Sequence, residues 1–392
     1  MPISATPRTD SSRALTLAAN AAFVPIGVVT VLLGPMLPAL SARWSLNYSQ
    51  AGSLFTAQFL ASTAGVGASG ILISRRGFRF ALNAGLLVMA AGVAGLSSGS
   101  HLWGLGCIAA YGAGLGLAVP AANLLVAEVN PGRRSAALNL LNFSWSVGAV
   151  ACPFLVAGAA RSNRVGTLMI AVAGFLLLVM IGILGTYSRV AEPVLSGSGN
   201  KPTKINWGSR SLFVLSALFF LYVGTENSFG GWIASYAKSL GTIPLARSVM
   251  APSFFYSALL VGRWIAPLIL RRIDEVKLAR SGIVVACAGM VGLILSRATP
   301  GVVSSAIVAG IGLSAVYPIT IALLSREFGA AASRVGSLMF TMANLGGAFL
   351  PWLVGYASNR VGNLKVGLTA PLIAGLGIFV LYLSKWKPVD TG

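Results

Sequence analysis

Carboxylates are nearly missing from this chain. Eight acidic residues stand against 28 Lys and Arg in 392 residues, and charged side chains make up 9% of the total, where a soluble domain devotes about a quarter of its residues to charge. With 56% hydrophobic residues and a mean hydropathy of +0.83, most of the length has nothing to hold water, and the lipid bilayer is the solvent that suits it. The net charge of +20 does not describe a nucleic-acid surface. Its basic residues fall as ones and twos between apolar runs and form no stripe with interleaved aromatics, so no nucleic-acid partner is expected. Histidine and cysteine are as scarce. A single histidine, His101, and three cysteines set far apart in apolar runs, Cys107, Cys152 and Cys287, leave no material for a histidine triad, a haem pocket, a zinc site or a disulfide framework. No cofactor is expected, and no enzyme chemistry. A membrane-embedded enzyme would need a catalytic cluster at one bilayer face, and only Glu128 with Arg133 and Arg134 offers a candidate.

What the chain has in abundance is apolar runs. A helix needs about 20 apolar residues to cross the hydrocarbon core, and segmenting at polar clusters gives twelve stretches: 14–40, 49–73, 79–98, 102–127, 135–160, 165–188, 211–237, 248–270, 278–296, 301–325, 335–358 and 364–384. The first of these, about 27 residues long, is too long for a signal-peptide core and reads as a span. With a cytoplasmic N-terminus, 19 Lys and Arg lie in cytoplasmic segments and 8 in outer ones, with Arg263 inside a span. The positive-inside rule therefore puts both termini in the cytoplasm. The longest hydrophilic segment, 189–210 with its run LSGSGNKPTK, reads as a flexible linker. This divides the chain into a tail (1–13), a six-helix bundle (14–188), the linker, a second bundle (211–384) and a tail (385–392). At a fixed shift of 198 residues, Gly112, Gly114, Leu115, Pro120, Gly148 and Pro153 fall opposite Gly310, Gly312, Leu313, Pro318, Gly346 and Pro351, which predicts two repeated halves whose helices pack closely and bend at matched places. The fold class is an all-α membrane protein of twelve transmembrane helices in two six-helix bundles related by a parallel repeat.

A charge inside the membrane is expensive unless it faces a wet cavity or a partner. Glu226 is the only carboxylate deep in a span, about 22 Å of helical rise from the cytoplasmic end of span seven, in the run FLYVGTENSFGGWIASYA. Its functional reading is a cavity residue that binds a polar solute or a coupling cation, with Asn227, Ser228 and Trp232 nearby; its structural reading is a carboxylate paired with another helix. Arg263, about 10 Å from the cytoplasmic end of span eight, reads first as a packing or gating arginine that snorkels or pairs with Glu327 or Glu226. Glu128 and Glu327 end spans four and ten beside Arg133, Arg134 and Arg326, and are read as cytoplasmic gate charges together with Arg75, Arg76 and Arg79. Neutral polar groups recur within the spans: Asn139, Asn142 and Ser146 at helical spacing on span five, Asn123, Tyr317, Thr320, Asn344, Gln58 and Tyr256 elsewhere, with Trp145, Trp232 and Trp352 as stacking platforms. Such a set suits a neutral, polyhydroxylated solute; many such groups also serve as hydrogen bonds between helices.

Twelve spans in two parallel-related halves around a cytoplasmic loop form the architecture of major facilitator transporters, with the solute site at mid-membrane. The loop GILISRRGFR, Gly70 to Arg79, resembles that superfamily's signature G-x-L-A-D-R-x-G-R, with Ser74 where aspartate is usual, and LRRIDEVKLAR from Leu270 is a weaker second copy. Within the superfamily the sequence resembles the fucose and glucose permease family. The likeness lies in AAN at Ala121–Asn123, LNLLNFSWSVG, SAVYPIT, ANLGGAFLP and YVGTENSFGGW, the last similar to the sodium-dependent glucose transporter-like members. The resemblance implies that Asn142 matches a sugar-binding amide and Tyr317 a sugar-contacting tyrosine. It also exposes a departure: proton-coupled fucose permeases carry acids in spans one and four, whereas span one here has none and Val119 and Pro120 precede the AAN triplet. If transport is coupled to sodium or protons, Glu226 is the residue left to titrate or to ligate the ion; otherwise the chain is a facilitator. The expectation is an alternating-access sugar transporter of the inner membrane, acting as a monomer, with an exporter of lipophilic cations on the same fold as the alternative.

Overall fold

The structure is a computed structural model and describes residues 8–130, 133–187, 208–241, 244–329 and 332–385. Most of the expected linker, and parts of the expected 1–13 and 385–392 tails, lie outside the described residues. Among those described there is no strand. The helices are α1 (Arg8–Val31), α2 (Leu33–Trp44), α3 (Tyr48–Gly95), α4 (His101–Val129), α5 (Arg134–Arg161), α6 (Val165–Tyr187), α7 (Arg210–Ser239), α8 (Leu245–Ile269), α9 (Glu275–Leu295), α10 (Thr299–Ser314), α11 (Val316–Phe328), α12 (Ala332–Val361), α13 (Leu364–Gly367) and α14 (Thr369–Lys385).

Eleven helical stretches among the described residues are long and apolar enough to cross a bilayer. One of them, α3, runs 48 residues, about 72 Å at 1.5 Å per residue, more than twice the hydrocarbon thickness of about 30 Å. It is two spans joined at Gly77, whose φ of 84° and ψ of 172° are not helical and suit only glycine. Counted this way, the twelve predicted crossings are all present. Two of them are interrupted. The first divides into α1 and α2 where Pro35 has no N–H to continue the ladder, and the tenth divides into α10 and α11 at Ala315, three residues before Pro318. Helix starts follow local chemistry: Ser100 accepts from Trp103 N, and the Asp274 carboxylate accepts from Val276 N at 2.9 Å and Lys277 N at 3.1 Å.

In lipid no hydrophobic force drives helix against helix, so close packing of small residues and polar links must hold the spans together. The described helices form two compact units. One draws on Met1–Thr30, Leu60–Cys152 and Ser162–Ser198, the other on Val31–Phe59, Pro153–Arg161 and Gly199–Gly392. In both, glycines related by the predicted shift of 198 residues make close backbone contacts, with partners related by 197 or 196 residues. In the first unit a methyl on Gly114 would stand 2.6 Å from Gly85 O, and in the second a methyl on Gly312 would stand 2.6 Å from Gly282 O. Gly148 lies against the backbone of Val24, and its counterpart Gly346 against that of Phe220. The first unit adds polar links: Ser144 Oγ to Asn20 Oδ1 at 2.8 Å, Trp145 Nε1 to Thr30 Oγ1 at 3.2 Å and Asn130 Nδ2 to Thr16 Oγ1 at 2.8 Å. In the second, α2 meets α7 at Gly34, where a methyl would sit 2.9 Å from Gly231 Cα and 3.0 Å from Gly230 O.

Candidate solute site

The second unit holds a charged pair well inside its spans. Glu226 of α7 and Arg263 of α8 face each other with Nη2 and Oε1 3.9 Å apart, their side chains 13% and 24% exposed. At that separation the attraction is about 4 kcal/mol at an effective dielectric near 20, while drawing each ion out of water costs several kcal/mol. For two ions that cost exceeds the attraction, so stabilising the fold does not account for the pair. The separation is also too long for a direct hydrogen bond, and Arg263 Nε is buried without a partner.

Two tyrosines complete the cluster. Tyr222 lies one helical turn before Glu226 on the same face of α7; it is buried, its hydroxyl lies against both charged groups and donates to Leu313 O at 3.2 Å. Tyr317, just beyond the α10–α11 break, stacks on Tyr222 at 5.2 Å and 27° and takes the edge of Phe219 at 5.6 Å. Tyr222 was not among the residues singled out from the sequence. Its position four residues before Glu226, in a run already marked by an intramembrane acid, was the available signal.

The other expected site residues take varied places. Asn227, partly exposed, donates back to Val223 O at 2.8 Å; Asn344 on α12 is partly exposed, and Gln58 on α3 is buried at 2%. In the first unit Asn142 is exposed on α5 and donates to Leu138 O at 2.9 Å, Asn139 is exposed on the same helix, and Asn123 on α4 donates to Val119 O at 2.8 Å. Each of these bonded amides spends a donor on its own helix and keeps its carbonyl oxygen as an acceptor. Trp232 differs from the expectation of a stacking platform: it is 1% exposed, its Nε1 donates to Pro351 O at 2.9 Å, and Tyr48 and Phe55 pack against its ring. In this arrangement it has no face open to a solute, because the small residues of α7 and α12 let those helices close over it. Trp352 stacks on Tyr356 at 5.3 Å, and Thr320 hydrogen-bonds Tyr382 at 2.8 Å.

The charges read as gates sit at helix ends. Arg75 and Arg76 are exposed beside the Gly77 break, Arg76 over the Phe80 ring at 4.7 Å, and Arg79 is partly buried. Glu128 is partly buried near the end of α4. Glu327 on α11 accepts from Ser211 Oγ of α7, and its neighbour Arg326 pairs with Glu275 of α9. Among the described residues no three His, Cys, Asp or Glu side chains group as a metal site.

Comparison with known proteins agrees with this architecture. The chain is 26% identical over 374 residues to the glucose/galactose transporter of Brucella abortus, covering 88% of each. It is 22% identical over 409 residues to the sodium-dependent glucose transporter 1A of Mus musculus, covering 94% of this chain and 95% of that one. Its fold matches the E. coli fucose:proton symporter with a TM-score of 0.65 at 18% identity, over 96% of this chain and 100% of that one. Residues 19–351 match the family described as the Major Facilitator Superfamily, and with twelve crossings and repeated glycine contacts behind that match, the chain belongs to this superfamily.

Proposed function

We propose that this chain is a secondary transporter that moves a neutral monosaccharide across the cytoplasmic membrane by alternating access, its six-helix halves, 14–188 and 211–384, rocking about the bound solute. The observation that carries the reading is the Glu226–Arg263 pair: loosely paired, partly open charges inside the spans, walled by Tyr222 and Tyr317. The pair presents a donor and an acceptor side by side. It attracts a solute that both donates and accepts hydrogen bonds, as a sugar does. The names of the relatives, glucose/galactose transporter and sodium-dependent glucose transporter 1A, support the same solute class.

Asn142 and Asn139 on α5, Asn123 on α4, and Asn227, Asn344 and Gln58 belong to the same reading as amides available to a polyhydroxylated solute. The positive-inside count places both termini in the cytoplasm, with Arg75, Arg76, Arg79, Glu128 and Glu327 at the cytoplasmic ends as gate charges, and the transporter works as a monomer. No covalent chemistry is involved. Coupling runs through Glu226 where it exists: a proton or sodium ion taken up there displaces Arg263, so the pair opens as the ion binds. The rival reading, export of lipophilic cations, would use Glu226 alone as counter-charge and leaves its pairing with Arg263 without a role.

Counterflow of glucose and fucose into proteoliposomes tests the proposal, first without ion gradients and then with sodium or pH gradients imposed. Glu226→Gln is expected to reduce counterflow at least about tenfold, the loss of a charge-assisted hydrogen bond. A gradient that drives accumulation identifies a symporter, and its failure to do so a facilitator. No counterflow with either sugar in folded protein sinks the sugar reading in favour of export.

A further inference from the structure

Arg263 meets the Tyr222 hydroxyl and still keeps a buried, unmet donor. A guanidinium carries five N–H donors in a fixed fork, yet its Nη2 stops 3.9 Å short of the Glu226 carboxylate and its Nε is buried with no partner. A side chain kept only to neutralise Glu226 would close that gap into a direct, charge-assisted bond, the strong geometry for an arginine and a carboxylate. The Tyr222 hydroxyl, which lies against both charged groups, shows that an oxygen able to accept from the guanidinium and donate to the carboxylate suits this place, and the unmet Nε leaves one donor for a further acceptor. Only a group with both capacities fits. Tyr317, half-buried and backed by the fully buried ring of Tyr222, provides the apolar wall that the C–H face of a pyranose would meet.

Resting on the reading of the chain as a sugar transporter, we infer that Arg263 is a solute ligand and that two neighbouring sugar hydroxyls bridge the pair, one accepting from the Arg263 guanidinium and the other donating to the Glu226 carboxylate. Arg263 thereby determines specificity. A sugar lacking either hydroxyl leaves one charged partner unmet, and discrimination against deoxy analogues is the result.

The test is isothermal titration of the purified full chain in detergent with glucose and each of its monodeoxy analogues, in wild type and in Arg263→Lys, which keeps the charge and loses the fork. In wild type, two monodeoxy analogues modified at adjacent carbons are expected to bind about tenfold or more weakly than glucose. In Arg263→Lys glucose itself should weaken by about tenfold, and the penalty for the hydroxyl that faces Arg263 should shrink to about threefold or less. Analogue penalties unchanged between wild type and Arg263→Lys would overturn the inference, because a purely structural arginine cannot alter them. Glu226→Gln with Arg263→Gln, which leaves no lone buried charge, gives a second reading: recovery of wild-type glucose affinity in that double variant also overturns it, while persistent weakening supports it. If wild type binds none of glucose, galactose and fucose, the sugar reading fails and this inference with it. That outcome is distinct from sugar binding that ignores Arg263.

Discussion

Gly346 offers the sharpest test of how the second unit is held together. A methyl built on it would stand 2.7 Å from the carbonyl carbon and 2.9 Å from Cα of Phe220, and closer still to the carbonyl oxygen. These atoms are helix backbone and cannot rotate away. Gly346→Ala therefore requires α12 to shift from α7 by about 1 Å, and a gap of 0.5–1 Å forfeits a quarter to a half of each van der Waals well along the seam. Overpacking of this kind costs about 1–3 kcal/mol, a large part of a total stability near 5–15 kcal/mol. Gly336, ten residues earlier on the same helix, has nothing within 4 Å of the same added methyl. There Gly→Ala should be neutral or stabilising by up to about 1 kcal/mol through helix propensity. The assay is thermal unfolding of each purified variant in one detergent, followed by the loss of the monodisperse gel-filtration peak. Gly346→Ala should melt lower than wild type and Gly336→Ala no lower. Equal melting of the two variants would refute the claim that backbone contact at Gly346 holds α7 to α12.

Two further substitutions extend the reasoning. Trp232→Phe removes the indole donor to Pro351 O, which keeps its backbone bond within α12, so thermal unfolding should show a loss of about 0.5–1.5 kcal/mol with sugar affinity unchanged; an affinity change at constant stability would return Trp232 to the solute site. Gly34→Leu places a branched side chain where even a methyl meets Gly231 Cα at 2.9 Å, prising α2 from α7, and counterflow should drop at least about tenfold if that contact must form in each transport cycle; normal counterflow in folded Gly34→Leu would rule the requirement out.

The spans were legible in the sequence because apolar length alone carries them. Even the 48 residues of α3 divide where the sequence placed a loop, at the Arg75–Gly77 turn. The matched glycines were legible as a repeat, and Gly114 and Gly312 do meet their neighbours alike. What escaped was the geometry of side chains. The pairing of Arg263 with Glu226, one of the two partners read for it from the sequence, is present at 3.9 Å, but depth counted along each helix would set the two about 12 Å apart, since axial rise takes no account of an arginine's reach or of how neighbouring helices are offset. Trp232 has the same composition as a stacking platform and the opposite role, because burial is decided by what packs over a residue and not by the residue itself. Tyr222 differs for a related reason: its spacing of one turn from Glu226 marks it in the sequence, but its place beside both charges shows only in the structure.

Helix α7 joins the two aspects of the structure, solute chemistry and close packing. Glu226 and Tyr222 occupy one face, and five residues after Glu226, about 7.5 Å along the axis, a methyl on Gly231 would already stand 2.7 Å from the Phe55 ring, while Gly230 underlies the Tyr256 hydroxyl at 2.6 Å by the same measure. A glycine contact of this kind has no intermediate positions: the backbones are seated or they are apart. Solute can shift such a seated arrangement only by contacts that differ between its two states, and close-packed interfaces convert small displacements into discrete switches. On the reading of Glu226 and Arg263 as solute ligands, the unmet Arg263 Nε provides such a difference, since it would gain an acceptor only while solute is bound. The placement of a loosely made pair and a tightly made glycine seam on one helix is what an alternating-access cycle requires of α7.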